Sequence, residues 1–242
     1  MRRSAGGRWA KENPARRPCR RRSRARVGHR TCTGALYFCS ILAQTMSWRW
    51  LLLLFALAWV TWDRWQARPI AHPPGVLASA DPLQADLGPS PPRLTKAGYQ
   101  ILPLQSFSLV ARVLSKERYR FDEAADISPL DLALGWGRMS DQTVLDAFDI
   151  SQSGRFYFWH VDRFPIPRRE IETHSANMHM IPANDRVKDR LLSIRAGQIV
   201  SLSGYLVEVR GPNGWRWRSS LTREDTGAGA CEVVWVETMQ AR

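Results

Sequence analysis

The chain is short of cysteine, short of acidic residues at one end, and short of long uncharged apolar runs. Three of its four cysteines, Cys19, Cys32 and Cys39, fall in the first 45 residues, which leaves Cys231 alone in the rest. A lone cysteine forms no bridge within its own chain, so the remainder is not a disulfide scaffold. In the apolar run Ala230-Cys231-Glu232-Val233-Val234 it reads as a packed core thiol. No C-x-x-C pair and no H-E-x-x-H occurs, so neither standard zinc pattern is present. Residues 1–45 hold one acidic residue against twelve basic ones; residues 46–242 hold 21 acidic and 23 basic. The net charge of +13 is thus concentrated in the leader, and the near-neutral body carries no electrostatic mark of a nucleic-acid binder.

The leader has arginines at 16–17, 20–22, 24 and 26 among Pro, Ser, Gly and Ala, with no apolar period, and is expected to be disordered. A basic arm for nucleic acid or anionic lipid and an organelle transit peptide are two readings. The favoured third is an over-long gene model, with translation beginning at Met46, because Met46-Ser47-Trp48-Arg49 leads straight into an apolar run.

That run, Trp50–Trp62, has 13 uncharged residues, whereas a full span needs about 17–25. Extended over residues 46–65 it gains tryptophans at both ends, Trp48 and Trp50 against Trp59, Trp62 and Trp65, as in two interfacial belts. The sequence after it is bulky and charged and offers no signal-peptidase site. Residues 46–65 are therefore expected to form an uncleaved transmembrane signal anchor in the inner (cytoplasmic) membrane, single-pass, with the C-terminal domain extracytoplasmic.

Residues 66–93, punctuated by Pro69, Pro73, Pro74, Pro82, Pro89, Pro91 and Pro92, read as a semi-extended linker. Beyond them, 99–104, 107–114 and 155–161 are rich enough in aromatic and β-branched residues to be strands. Ser128-Pro129-Leu130-Asp131 has the signature of a helix start, and Ser140-Asp141 of a second. Ser151-Gln152-Ser153-Gly154 reads as a turn. Asn184 or Asp185 caps a helix with Val187, Leu191 and Ile194 on one face, ended by Gly197. A long strand over 199–209 has Gly204 where a bulge or barrel bend would sit. The turn Gly211-Pro212-Asn213-Gly214 leads to a strand over 215–221, and a last strand covers 231–237. The fold class is α+β: an N-terminal transmembrane helix, then an extracytoplasmic β-rich domain over 94–242, an OB-like small barrel or a sandwich, with a few short helices.

Two groups of residues are candidates for chemistry. Glu172, His174 and His179, with His160 nearby, offer acid–base groups or, for His174 and His179, weak metal ligands. The five-residue spacing of His174 and His179 fits no standard zinc site, and an irregular loop hydrogen-bonded to itself is the simpler expectation, so no metal or cofactor is expected. Ser219, Ser220, Thr222 and Asp225 form a polar stretch suited to a small ligand or to turn hydrogen bonds. Trp215 and Trp217 alternate with Arg216 and Arg218, which in a strand puts tryptophan on one face and arginine on the other. The tripeptide Asp225-Thr226-Gly227 follows charged rather than apolar residues and has no second copy, which argues against a protease aspartate.

The segments from Ser128 to Gly137, from Glu172 to His179, from Gly204 to Val207 and from Ser219 to Arg223 together resemble a family of uncharacterised, single-anchor proteobacterial membrane proteins. The resemblance implies a bacterial envelope protein and carries no activity with it. The expected function is a membrane-anchored binding domain facing an envelope protein or polymer, with no nucleic-acid partner. The alternative is an envelope hydrolase or metal-dependent enzyme working through Glu172, His174 and His179.

Overall fold

The computed structural model describes residues 48–66, 68–227 and 229–242. The leader expected over residues 1–45 lies outside them. The described chain is mixed α/β, dominated by one large β-sheet with few helices.

Helix α1 (Trp48–Gln66) occupies the expected anchor. The expected start at Met46 and Ser47 lies outside the described residues. The apolar side chains of α1, from Trp48 to Trp65, are exposed. Arg49 and Arg64 are part of the helix, as is Asp63, and among the described residues no helix is long and apolar enough to cross a membrane. The expected span is thus present as a helix, with charge inside the length a bilayer core would require to be apolar.

The sheet has ten consecutively numbered strands less the separate hairpin: β1 (Leu83–Asp86), β2 (Leu94–Lys96), β3 (Tyr99–Arg118), β4 (Leu130–Gly135), β7 (Ser175–Pro182), β8 (Ile199–Arg210), β9 (Arg216–Arg218) and β10 (Glu232–Ala241). The hairpin is β5 (Asp149–Ser153) with β6 (Phe156–His160). Among the described residues there follow three short α-helices, α2 (Gln142–Leu145), α3 (Arg168–Thr173) and α4 (Asp185–Ser193), and a 3-10 turn at Gly137–Ser140.

Five strands close on themselves. β3 pairs antiparallel with β8 along Gln100–Arg112 and with β4 along Arg112–Arg118. β4 pairs antiparallel with β7, β7 parallel with β10, and β10 antiparallel with β8, which returns to β3. One strand can serve two neighbours because β3 is 20 residues long and its register shifts twice, at Pro103/Gln105 and at Val113/Ser115. Pro103 lacks the N–H a regular ladder needs, and sits at such a shift. Gly204 is the matching device in β8: a Cβ there would overlap the Trp235 carbonyl oxygen, next to the irregularity between Val236 and Thr238 of β10.

Alternation along these strands sends Leu109, Leu132, Met178, Leu202 and Val234 into one buried cluster, to which Val187 and Leu191 of α4 add. The opposite faces of β7 and β10 are also covered. Ile181, Val207, Val233 and Trp235 form a second cluster with Trp215 and Trp217 partly buried against it. The expected two-faced hairpin arm is observed: the tryptophans pack together at 5.9 Å, and Arg216 and Arg218 on the other side bind Glu208.

Several expected elements differ. The helix expected at Ser128–Asp131 is the start of strand β4, all six residues of which are buried. A helix would strand that apolar run, whereas the β3 and β7 ladders take up its backbone groups. The segments 99–104 and 107–114 are one strand. Ser151–Ser153 are strand β5, and the hairpin turns at Gly154 and Arg155, both at positive φ (57° and 68°). The strand expected over 215–221 is only Arg216–Arg218, and the last strand runs on to Ala241. The irregular loop expected at Glu172–His179 is the end of α3 followed by β7. The proline-rich stretch is no free spacer. Ile70 N donates to Ala196 O (2.9 Å), Gly75 N to Asp141 Oδ1 (3.0 Å), and Leu77 N and Ala78 N both to Ser140 Oγ (3.0 Å each). Proline denies this stretch a helix, yet its remaining N–H groups still seek acceptors, and Ala196 together with Ser140 and Asp141 supplies them.

Candidate functional site

The cleft of interest has a volume of about 250 Å3. It is lined by the first residues of β7 (Ser175, Asn177) and of β10 (Glu232). One wall is strand β6, with Tyr157 and Trp159; the other is the loop from Thr222 to Cys231. Helix α3 adds Arg168 and Glu172 at the rim.

The hairpin wall stands where it does because its turn is pinned. Arg155 donates to Asp122 (2.6 and 2.9 Å), to Asp131 Oδ1 (3.0 Å) and to the Ser128 carbonyl (2.9 Å), and its guanidinium lies 4.1 Å from the centre of the Tyr119 ring. Gln152 Nε2 donates to Asn177 Oδ1 (2.7 Å), tying β5 to β7. The loop wall is held by its serines. Ser219 Oγ donates to the Ser220 carbonyl (2.7 Å) and accepts from Val233 N (3.1 Å); Ser220 Oγ donates to Asp225 Oδ2 (2.6 Å) and accepts from Thr222 N (3.2 Å).

Charge in the cleft is mostly paired. Arg168 Nε donates to Glu172 (2.8 Å). Arg223 Nη1 donates to Glu232 Oε1 (2.8 Å) and Nη2 to Gln84 Oε1 (2.6 Å), with its guanidinium 5.2 Å from the Trp136 ring centre. Glu232 is the exception in one atom: Oε2 is buried and has no hydrogen-bond partner. Burial raises its carboxyl to about 7, against the opposing pull of Arg223. Burial and the Glu232 carboxylate push the adjacent Cys231 thiol up to about 11.

No known family model, curated protein or solved structure matches this chain. The site is therefore read from its own residues.

The sequence candidates scatter. Glu172, Thr222 and Asp225 line the cleft; Ser219 and Ser220 are buried behind it as the pins of the loop. None of the histidines lines it. His174 caps the end of α3, with Nδ1 3.1 Å from the Glu170 carbonyl oxygen and 3.0 Å from Thr173 Oγ1, and Nε2 3.7 Å from Asp81. His179 is buried in β7 with Nδ1 2.9 Å from Asp131 Oδ2, but off the line that a hydrogen bond needs, so the contact is close without being a hydrogen bond. Its ring lies 4.5 Å from Trp217. His160 is exposed, 3.5 Å from Asp162. The structure thus does not assemble Glu172, His174, His179 and His160 into one centre. Among the described residues no group of three or more His, Cys, Asp or Glu could hold a metal ion.

The residues that do build the cleft and were passed over are Tyr157, Trp159, Arg223 and Glu232. Signals for them existed. A carboxylate inside the apolar run Cys231-Glu232-Val233-Val234 needs a partner or a purpose, and the aromatic strand Phe156–His160 exposes Phe156 and Phe158 while turning Tyr157 and Trp159 the other way.

Proposed function

We propose that the chain is a non-enzymatic binding protein whose folded part is an OB-type barrel and whose ligand site is this cleft. Three features support the OB-type assignment: the closed five-strand ring, the parallel β7–β10 pair within it, and helix α4 between β7 and β8. In such barrels the second and third ring strands and the loop between the fourth and fifth form the usual binding face. Here those are β4, β7 and the loop after β9; β7 and that loop line the cleft, while β4 contributes no lining residue.

The observation that carries binding over catalysis is the state of the cleft's charged groups. Arg168–Glu172 and Arg223–Glu232 are already paired, and the histidines of the hydrolase alternative lie elsewhere. Aromatic walls with a few placed polar groups are what a binding site needs. The partner in this reading is an envelope protein or polymer. The resemblance to single-anchor membrane proteins supports attachment to the inner membrane through residues 46–65, with the barrel extracytoplasmic. The exposed tryptophans and leucines of α1 fit contact with lipid.

The test uses the full-length chain in detergent micelles and isolated envelope material. Co-sedimentation that Trp159→Ala abolishes, and that His174→Ala and His179→Ala leave intact, is the expected result. Release of soluble fragments from the envelope, lost in the histidine variants, would overturn it. For the anchor, retention of the chain in membranes washed with alkaline carbonate is expected, and its release would sink that part.

A further inference from the structure

Resting on the reading of the cleft as a binding site, we propose that its ligand is a neutral, hydroxyl-bearing ring of the saccharide class, and that Glu232 Oε2 receives one of its hydroxyl hydrogen bonds.

Oε2 of Glu232 is the starting point. A buried acceptor left without a donor costs about 1–3 kcal/mol, so few are kept without a use. Glu232 is 3 % exposed, Oε1 is taken by Arg223, and the free oxygen belongs to a cleft-lining residue. A ligand O–H or N–H is the donor the site lacks.

Charge selects among donors. Sharing the cleft with Glu232 are Arg223 and Asp225 from the loop, the neighbouring Cys231, Asn177 and Ser175 from β7, Tyr157 from β6, and Arg168 and Glu172 from α3. An ammonium ligand would meet the Arg223 guanidinium at the same carboxylate. An anion would meet the carboxylates of Asp225, which accepts from the Ser220 hydroxyl (2.6 Å), and of Glu232 itself. A neutral donor meets neither penalty. Tyr157 and Trp159 supply aromatic surface for the C–H face of a ring, and Thr222, Thr226 and Asp225 line the same cleft. About 250 Å3 is below the range of drug-sized pockets, which suits one ring or the end of a polymer.

A carboxylate accepts a hydroxyl hydrogen bond more strongly than the protonated acid does, so binding should favour the ionised form of Glu232. Affinity then rises with pH and levels off above about 7.

The experiment titrates the full-length chain in detergent, following tryptophan emission, with neutral tetrasaccharides of glucose, galactose, mannose and N-acetylglucosamine. Spermidine and inorganic phosphate serve as charged probes. At least one tetrasaccharide is expected to bind, more weakly at pH 5.5 than at pH 8 by up to about thirtyfold. Glu232→Gln, checked for folding by its melting curve, should bind with no pH dependence over that range. Trp159→Ala should lose binding. Binding of spermidine or phosphate in place of every saccharide would overturn the proposal, as would affinity that falls as pH rises. If no tetrasaccharide binds while envelope retention still depends on Trp159, the saccharide class falls and the cleft stands; if both fail, both readings fall.

Discussion

Arg155 Nη1 lies 3.0 Å from Asp131 Oδ1, and the Asp131 side chain has no exposed surface. The arginine sits at φ 68°, a conformation side chains other than glycine avoid. The fold holds the turn in this geometry so that one guanidinium can serve a buried carboxylate. Arg155→Ala would take the guanidinium away from a buried carboxyl group, and is expected to cost about 3–5 kcal/mol in chemical denaturation. Arg155→Gly removes the same guanidinium but relieves the backbone, and should be about 1 kcal/mol more stable than the alanine variant. Equal stability of the two would show that the turn carries no strain.

A second prediction concerns closure of the barrel. Gly204→Ala places a methyl against the Trp235 carbonyl, a backbone atom that cannot swing aside. The β8–β10 ladder must shift, and a loss of about 4 kcal/mol or more in a melting experiment is expected. Gly214→Ala is the control. Gly214 also has positive φ (78°), but its Cβ would meet open space, so its cost should stay near 1 kcal/mol.

Much of this was open to a reading of the sequence, and the failures have one cause. Asn184 does cap α4, accepting from Val187 N at 3.1 Å, and Gly204 does sit at a register shift, the one in the facing strand β10. Both are local signals whose chemistry is complete within a few residues. Ser128-Pro129-Leu130-Asp131 has the local chemistry of a helix start and still became strand, because Asp131 pairs with Glu117 of β3 and His179 of β7 across the ladders. The site failed in the same way. His174 and His179 are close in sequence, but the passage from α3 into β7 at His174 leaves one at a helix end and buries the other beside Trp217. Glu232 and Asn177 come from the paired strands β10 and β7, and Trp159 from the separate β5–β6 hairpin, so the three meet only in the folded chain.

The cysteine makes a third prediction. The Cys231 thiol is pushed up to about 11, from an ordinary value of 9.0, by burial first and the Glu232 carboxylate second. Two pH units mean about a hundredfold less thiolate at pH 8. Iodoacetamide labelling of the Cys231 peptide, followed by mass spectrometry, should be about a hundredfold slower in the folded chain than in urea. Comparable rates would mean that the thiol is exposed and that the wall of the cleft is open.

The last prediction sets two carboxylates against each other. Glu232 is raised from 4.5 to about 7, so the folded state holds its proton more tightly than the unfolded chain does. Its effect on stability is unpenalised below pH 4.5 and worsens as pH rises to about 7, by roughly 3 kcal/mol in all. Glu208 goes the other way. Hydrogen bonds from Arg210 (2.7 Å), Arg218 (2.7 Å) and Arg216 (2.8 Å) hold its carboxyl down at about 2. Its contribution is present above pH 4.5 and lost as pH falls towards 2. That contribution is the smaller one: Glu208 is covered, but by three arginines that are themselves about half exposed, so water screens the cluster from one side chain away. Denaturation midpoints taken from pH 2 to pH 8 should therefore peak near pH 4–5 instead of at neutrality. Glu232→Gln should flatten the limb above the peak, and Glu208→Gln the limb below it. A curve that still falls between pH 5 and pH 7 in the Glu232→Gln variant would place the responsible proton elsewhere.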